Sequence, residues 1–140
     1  MNIDLLQAAK KTVRTFHEAF DSASDEALAD VLAAHTSDDY LWRGMHPFYE
    51  QRGATSVADV FWLPLRKALT SMQRREDVFM AGQNDVDGGK TTWVASMGHM
   101  MGLFDNEWIG SPATHKIAFL RYAEFHRVDT GKIVESAFFC

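Results

Sequence analysis

The hydrophobic pattern of the chain changes its period just past the middle, and this change constrains the fold more than any other feature. In the first half, apolar residues recur at steps of three and four, as Leu6, Ala9, Val13, Phe16 and Phe20 do, which lines one face of a helix. In the second half, apolar and polar residues alternate, which is typical of β-strands. Helices followed by antiparallel strands predict an α+β domain with helices on one face of a sheet.

Three helices are predicted before the change of period. The first covers residues 5–20, the second lies in "DSASDEALADVLAAH", and the third begins at Ser56 and continues through Met72. Pro64 falls inside the third helix and is expected to bend or divide it, because proline cannot donate the backbone hydrogen bond that a helix requires.

The predicted strands are a short one at residues 78–83, a long one at 91–103, and a hairpin over 119–139 that turns at "DTGK". An earlier strand-like stretch, "YLWRG", follows the second helix. Alternation along the long strand assigns Trp93, Met97 and His99 to one face, which we expect to point inward.

Length and composition favour one globular domain spanning residues 1–140, since 46% of the residues are hydrophobic and 24% are charged. The formal net charge of −5 disfavours a nucleic-acid partner, which would require a basic face. No segment reaches the roughly 20 apolar residues of a membrane span. The one cysteine, Cys140, excludes an internal disulfide, and we expect a cytoplasmic protein without a membrane partner.

Two ionisable residues interrupt the apolar face of the strand "FLRYAEFHRV". Glu124 and His126 are two positions apart, so their side chains leave the same face with α-carbons roughly 6.6 Å apart. An ion pair between Glu124 and Arg121 or Arg127 is the structural alternative, but the odd-numbered positions point to the opposite face.

We therefore predict a catalytic group of Glu124, His126 and His99, the histidine on the inward face of the neighbouring strand. Burial would raise the pKa of the carboxyl group and a protonated imidazole would lower it again, so the groups suit acid/base chemistry. A histidine satisfied by core hydrogen bonds is the alternative for His99. The residues predicted to line a pocket for a small apolar carbonyl or aromatic ligand are Tyr40, Trp42, His46, Trp62, Trp93, Met97 and Tyr122.

Two histidines and a carboxylate also match the ligand set of a mononuclear metal, with His99, Glu124 and His126 as a facial triad and His46 as a fourth contact. The spacing contains no paired-histidine metal motif of the HxxxH or HxH kind. We expect no metal and no organic cofactor.

The segment from Gly98 to Ser136 resembles the SnoaL-like polyketide cyclases, a branch of the nuclear transport factor two-like superfamily. The shared marks are a strand ending in Gly98 and His99, the loop "IGSPATHK", a strand running into Arg127 and Val128, and the glycine turn before "KIVES". The first half of the chain agrees with the family in the order of its elements.

This resemblance implies a cone-shaped α+β barrel, with three N-terminal helices packed on a strongly curved, mostly antiparallel sheet around a deep apolar pocket. It also implies a homodimer. Several members close a polyketide ring by an intramolecular aldol reaction without metal or cofactor, and an aspartate abstracts the proton next to a carbonyl. Glu124 stands at the position of that aspartate, and His126 is an additional group.

The leading hypothesis is thus a cofactor-independent, polyketide cyclase-like enzyme that performs aldol-type or isomerase-type chemistry. The alternatives are a non-catalytic binding or dimerisation module of the same fold and a mononuclear metalloenzyme. The apolar end of the chain, "SAFFC", is read as an unfinished strand at a sheet edge, which would favour pairing with a second copy.

Overall fold

The computed structural model describes residues 2–140 and contains three helical units. The helices are α1 (Ile3–Ser22), α2 (Leu28–His35), α3 (Ala54–Val57) and α4 (Leu63–Ala68), and a π-helical turn (Ala58–Trp62) joins the last two into one unit. Asn2 caps α1 by accepting a hydrogen bond from the backbone N–H of Leu5 at 3.0 Å.

Six strands form one mixed sheet beneath the helices. They are β1 (Thr36–Arg43), β2 (Glu50–Arg52), β3 (Leu69–Gln83), β4 (Thr92–Phe104), β5 (Ile117–Asp129) and β6 (Lys132–Phe139). Their order is β2-β1-β6-β5-β4-β3, and β1 and β6 are parallel while the other neighbours in this order are antiparallel. The predicted α+β class, with three helices on a mostly antiparallel sheet, is confirmed.

The third helical unit is divided, as Pro64 predicts. The backbone N–H of Leu63, immediately before the proline, bonds to the carbonyl of Ala58, five residues back, so the helix widens into a π turn there. The unit ends at Ala68, and the prediction that it continues to Met72 is wrong. From Leu69 onward the chain pairs with β4, and this tertiary pairing overrides the helical spacing of the apolar residues.

The inward face of β4 is the one opposite to the prediction. Val94, Ser96 and Met100 are buried beneath the helices, so the expectation that Trp93 and Met97 point inward is wrong. Small residues hold two central inner positions, Ser96 and Gly98. At Gly98 an added Cβ would lie 2.0 Å from the carbonyl oxygen of Arg75. The larger apolar side chains therefore lie on the outer face, which made that face look like the core.

The space between the helices and the sheet is filled by aromatic rings centred on Phe61. Its ring centroid lies 4.8 Å from those of Phe48 and Trp62 and 5.0 Å from those of Trp42 and Phe138. These contacts bring the third helical unit against β1 and β6. Aromatic packing of this kind contributes more than the buried area alone.

The outer face of the sheet carries exposed apolar side chains from four neighbouring strands. They are Val78 and Met80 on β3, Leu103 on β4, Ile117 and Phe119 on β5 and Phe139 on β6. β6 itself lies between β1 and β5, so the expectation that the last strand forms an unfinished edge is wrong. Among the helices of residues 2–140, none is long and apolar enough to cross a membrane.

The inward face of β4 can be tested with two neighbouring methionines. Met100 is 1% exposed and Met101 lies on the outer face. Met100→Ala should lower the free energy of unfolding by about 2–5 kcal/mol, because it leaves a cavity in the core. Met101→Ala should cost clearly less, because less area is lost. Urea denaturation followed by circular dichroism measures both, and equal costs would contradict the assignment of faces.

Candidate active site

Glu124 is a buried carboxylate at the centre of a polar cluster between α1 and the sheet. It lies on the inner face of β5, is 2% exposed, and is paired in register with Ser96 of β4 and Phe138 of β6. The predicted inward direction of Glu124 and His126 is confirmed, since His126 is 3% exposed. A carboxylate in this position requires compensating donors or charges.

Arg74 supplies the main compensation. This residue lies on β3, and its Nη1 donates a hydrogen bond to Glu124 Oε1. Its Nε donates to Asp21 Oδ2 of α1 at 3.0 Å. One guanidinium group therefore ties α1, β3 and β5 together. The strand pattern disfavoured Arg121 and Arg127 as ion-pair partners of Glu124, and the partner is an arginine from another strand.

Two histidines, one on α1 and one on β5, face the same carboxylate. Nε2 of His17, on α1, lies 2.9 Å from Glu124 Oε1, and Nε2 of His126 lies 3.4 Å from Glu124 Oε2. The other nitrogens contact further groups: Nδ1 of His126 lies 2.6 Å from Ser136 Oγ, and Nδ1 of His17 lies 3.7 Å from Glu76 Oε2. Both imidazole rings are thus held between two polar partners.

A second carboxylate, Glu76 on β3, extends the cluster away from Glu124. It accepts a hydrogen bond from Ser96 Oγ at 2.8 Å and lies 3.5 Å from Nη1 of Arg14. Ser96 Oγ also lies 2.9 Å from the hydroxyl group of Tyr122. The cluster therefore contains two carboxylates connected through His17.

The charges of the cluster follow from these contacts. Burial raises the pKa of Glu124, but Arg74, His126 and His17 outweigh it and hold that pKa well below its usual range. Burial lowers the pKa of His126. Burial and Arg74 also lower the pKa of His17, yet Glu124 and Glu76 outweigh them and raise it. These shifts favour an ionised Glu124 and a neutral His126, and they make His17 easier to protonate than a free histidine.

His99 does not belong to this cluster. It lies on the outer face of the sheet, in register with Arg121 and Arg75, and its Nδ1 is 3.4 Å from Asp77 Oδ2. The expectation that it converges with Glu124 is wrong because the inward residues of β4 are the even-numbered ones. His17 of α1 occupies the place that His99 was expected to take.

The residues predicted to line a pocket are divided among three places. Trp42 and Trp62 pack in the aromatic core and Tyr122 borders the cluster through Ser96. Tyr40 is also buried, and burial raises its pKa.

The remaining members of that predicted set lie elsewhere. His46 is exposed, with its Nδ1 2.5 Å from the Tyr49 hydroxyl oxygen. Trp93 and Met97 lie on the outer face, where the Trp93 indole donates to Thr91 Oγ1 at 2.9 Å. None of these three residues contacts the cluster, because His46 lies in the loop between β1 and β2 and the other two lie on the outer face of β4.

Sequence reasoning missed His17, Arg74 and Glu76. A signal for His17 exists, because it follows Val13 by four residues and so belongs to the apolar face of α1. Arg74 lies two residues after Met72, the predicted end of the third helix, in a stretch for which no strand was predicted. Only the strand assignment of β3 places Arg74 and Glu76, two residues apart, on the same inward face.

A surface cleft of about 620 Å³ reaches the cluster at Arg74. Its walls combine apolar residues, among them Leu69, Met72 and Met100, with Asp21 and Arg74. Glu124 lies behind Arg74 and does not line the cleft. Arg74 is thus the group that separates the buried carboxylate from the surface.

Comparison with known proteins finds similarity in structure. No family model matches the sequence, and no curated protein matches it. A candidate SnoaL-like polyketide cyclase from Jannaschia sp. CCS1 superposes with a TM-score of 0.75 at 14% identity, covering 99% of this chain and 89% of that one. IdmH, a candidate polyketide cyclase from Streptomyces antibioticus, gives 0.71 at 16% identity, covering 94% and 90%.

A third solved structure with the same architecture is an LEH-like epoxide hydrolase from M. tuberculosis. It superposes with a TM-score of 0.62 at 15% identity, covering 96% of this chain and 84% of that chain. At such low identities the likeness establishes the fold and leaves the chemistry to the residues of the cluster.

The role of Arg74 as the counter-charge of Glu124 predicts a large loss of stability in Arg74→Met. Removing one partner of a buried ion pair leaves the other charge uncompensated, and the free energy of unfolding should fall by about 3–5 kcal/mol. Arg75→Met is the matched control, because Arg75 is exposed on the opposite face of the same strand, and it should change stability by at most about 0.5 kcal/mol. Urea denaturation compares them, and similar values for both variants would contradict the assigned role.

Proposed function

We propose that this chain, which has the SnoaL-like fold of the nuclear transport factor two-like superfamily, is a small acid/base enzyme of the cyclase or isomerase type. The observation that carries the proposal is the convergence of Glu124, Arg74 and His17 from β5, β3 and α1 on one buried point. Proton donors and acceptors held in fixed positions away from water are what such chemistry requires. The substrate class is a small apolar carbonyl or aromatic compound.

Glu124 is the proton acceptor in this proposal. It takes a proton from the carbon next to the carbonyl group; the C–H bond breaks, and its electron pair forms the enolate. In an aldol-type ring closure the enolate carbon then attacks a second carbonyl carbon of the same substrate, whose oxygen receives a proton from His17. In an isomerisation the proton returns at a different carbon.

Arg74 is proposed to stabilise the enolate oxygen. In the free protein its guanidinium contacts Glu124, and a carboxylate held in this way is a weak base. When a carbonyl oxygen enters the Arg74 cleft and takes part of this contact, Glu124 becomes more basic. The enolate oxygen that forms on the substrate is negatively charged, and it replaces Glu124 as the partner of Arg74.

The second candidate is a non-catalytic binding or dimerisation module of the same fold. Two observations favour it. The carboxylate is held by an arginine, and the interior around Phe61 is packed with aromatic rings. In this case the charged cluster would serve to orient α1 on the sheet, and ligands would bind at surface clefts.

Replacement of Glu124 by Gln distinguishes the two candidates. The measurement is the exchange of α-protons for deuterium, followed by NMR in D₂O, over a panel of small cyclic and aromatic ketones. Wild-type protein should catalyse exchange for at least one panel member, and Glu124→Gln should be slower by about 100-fold or more.

Glu26→Gln is the matched control, since Glu26 is exposed in the turn before α2, and it should retain full activity. A Glu124→Gln variant within a few-fold of wild type would remove Glu124 from the role of base. Absence of exchange with every ketone for the wild type would favour the binding module.

We also propose that the chain forms a homodimer through the outer face of its sheet. Phe119 is 64% exposed, Ile117 is the next residue on the same face of β5, and Leu103 of β4 is paired in register with Ile117. Exposed apolar side chains grouped in this way are unfavourable in water and are typical of an interface.

Light scattering after size-exclusion chromatography tests the dimer. Wild-type protein should have twice the mass of the chain, and Phe119→Asp should shift it to the monomer because a charge would be buried in the interface. Val86→Asp is the control: Val86 is 96% exposed in the turn between β3 and β4, away from the outer face. A monomeric wild type, or a Phe119→Asp variant that stays dimeric, would contradict this interface.

A further inference from the structure

Two buried nitrogen atoms in the cluster lie beside a carboxylate but make no hydrogen bond of acceptable geometry within residues 2–140. His17 and His126 are 6% and 3% exposed, and the Nε2 atom of each faces Glu124. Buried polar atoms of this kind are rare in folded proteins, and a bound ion is one way to satisfy them.

The three side chains form a ligand set for a metal ion. One ligand atom from each of His17, Glu124 and His126 lies within 4.8 Å of the other two. An ion about 2.1 Å from each ligand in tetrahedral geometry would place the ligand atoms roughly 3.4 Å apart. His17 Nε2 lies 2.9 Å from Glu124 Oε1 and His126 Nε2 lies 3.4 Å from Glu124 Oε2, so a rotation of the carboxylate would direct one oxygen toward an ion between the two imidazoles.

The remaining polar atoms of these side chains already have partners that would orient them toward an ion. Nδ1 of His126 lies 2.6 Å from Ser136 Oγ, and Nδ1 of His17 faces Glu76 Oε2 at 3.7 Å. Histidines that bind metals commonly use their second nitrogen in this way, which leaves Nε2 for the ion. Arg74 similarly holds one oxygen of Glu124.

We propose that His17, Glu124 and His126 bind one divalent transition-metal ion of the zinc or iron(II) type. Two imidazoles and one carboxylate are the protein ligands of many catalytic sites of this kind, which keep a further position open for water or substrate. The positive charge of Arg74 repels a metal ion, and the negative charges of Asp21 and Glu76 reduce this repulsion.

This inference goes beyond the proposed acid/base function and does not rest on it. A bound ion would occupy a carboxylate oxygen of Glu124 while Arg74 holds the other, so proton abstraction and metal binding cannot use that side chain at the same moment. The two proposals are tested by different measurements: metal binding is read without any substrate, and α-proton exchange is read without added metal.

The experiment is a titration of chelator-treated, dialysed protein with Zn²⁺ by calorimetry and with Co²⁺ by visible absorption. Wild type should bind one equivalent of Zn²⁺, and Co²⁺ should give the intense bands of a four- or five-coordinate ion. His17→Gln and His126→Gln should each weaken binding by about 100-fold or more, since loss of an outer partner alone costs 10–100-fold.

His99→Gln is the matched control, because this histidine lies on the outer face beside Asp77, and it should bind as wild type does. If His17→Gln or His126→Gln does not fold by circular dichroism, Ser136→Ala takes its place, with an expected 10- to 100-fold weakening. Wild type that binds no Zn²⁺ would overturn the proposal. Zn²⁺ binding that is unchanged in the folded variants of His17, His126 and Ser136 would also overturn it. Loss of Zn²⁺ binding in His99→Gln would overturn it as well.

Discussion

The structure depends on the compensation of one buried negative charge, the carboxylate of Glu124. An ionised carboxylate away from water is costly unless charges and hydrogen bonds surround it. Arg74 and His17 bring that compensation from β3 and α1, while His126 is its neighbour on β5. Because these groups come from separate elements, the contacts of Glu124 tie α1 to β3 and β5, and a shift of α1 would remove His17 from the carboxylate.

The same buried polar cluster is suited to more than one function. A carboxylate between an arginine and two histidines can transfer protons, can hold a metal ion, or can simply orient a helix. The aromatic packing around Phe61 excludes water from the neighbouring interior, so electrostatic interactions in the cluster are stronger than they would be at the surface. Arg74, which lines a cleft on one side and contacts Glu124 on the other, is the group through which a ligand would affect the cluster.

The two faces of the sheet carry different kinds of side chain. The inner face of β4 has small residues such as Ser96 and Gly98, which leave room for the side chains of Glu124 and Tyr122. The outer face has the larger apolar residues, several of which are exposed. Comparing the hydrophobicity of the two faces therefore singles out the outer face and misses the inner face, which holds the polar cluster.

The amino-acid sequence by itself determined the α+β class, the division of the third helix at Pro64, and the inward direction of Glu124 and His126, because periodicity and proline chemistry are local properties. The tertiary structure decided the partners of Glu124. Arg74 is 50 positions from Glu124 and pairs with it because β3 begins at Leu69, where the local apolar spacing had indicated helix. The cluster around Glu124 contains His17 and not His99 because strand register and helix docking are set by contacts between distant segments. The spacing of residues along one segment carries no information about such contacts.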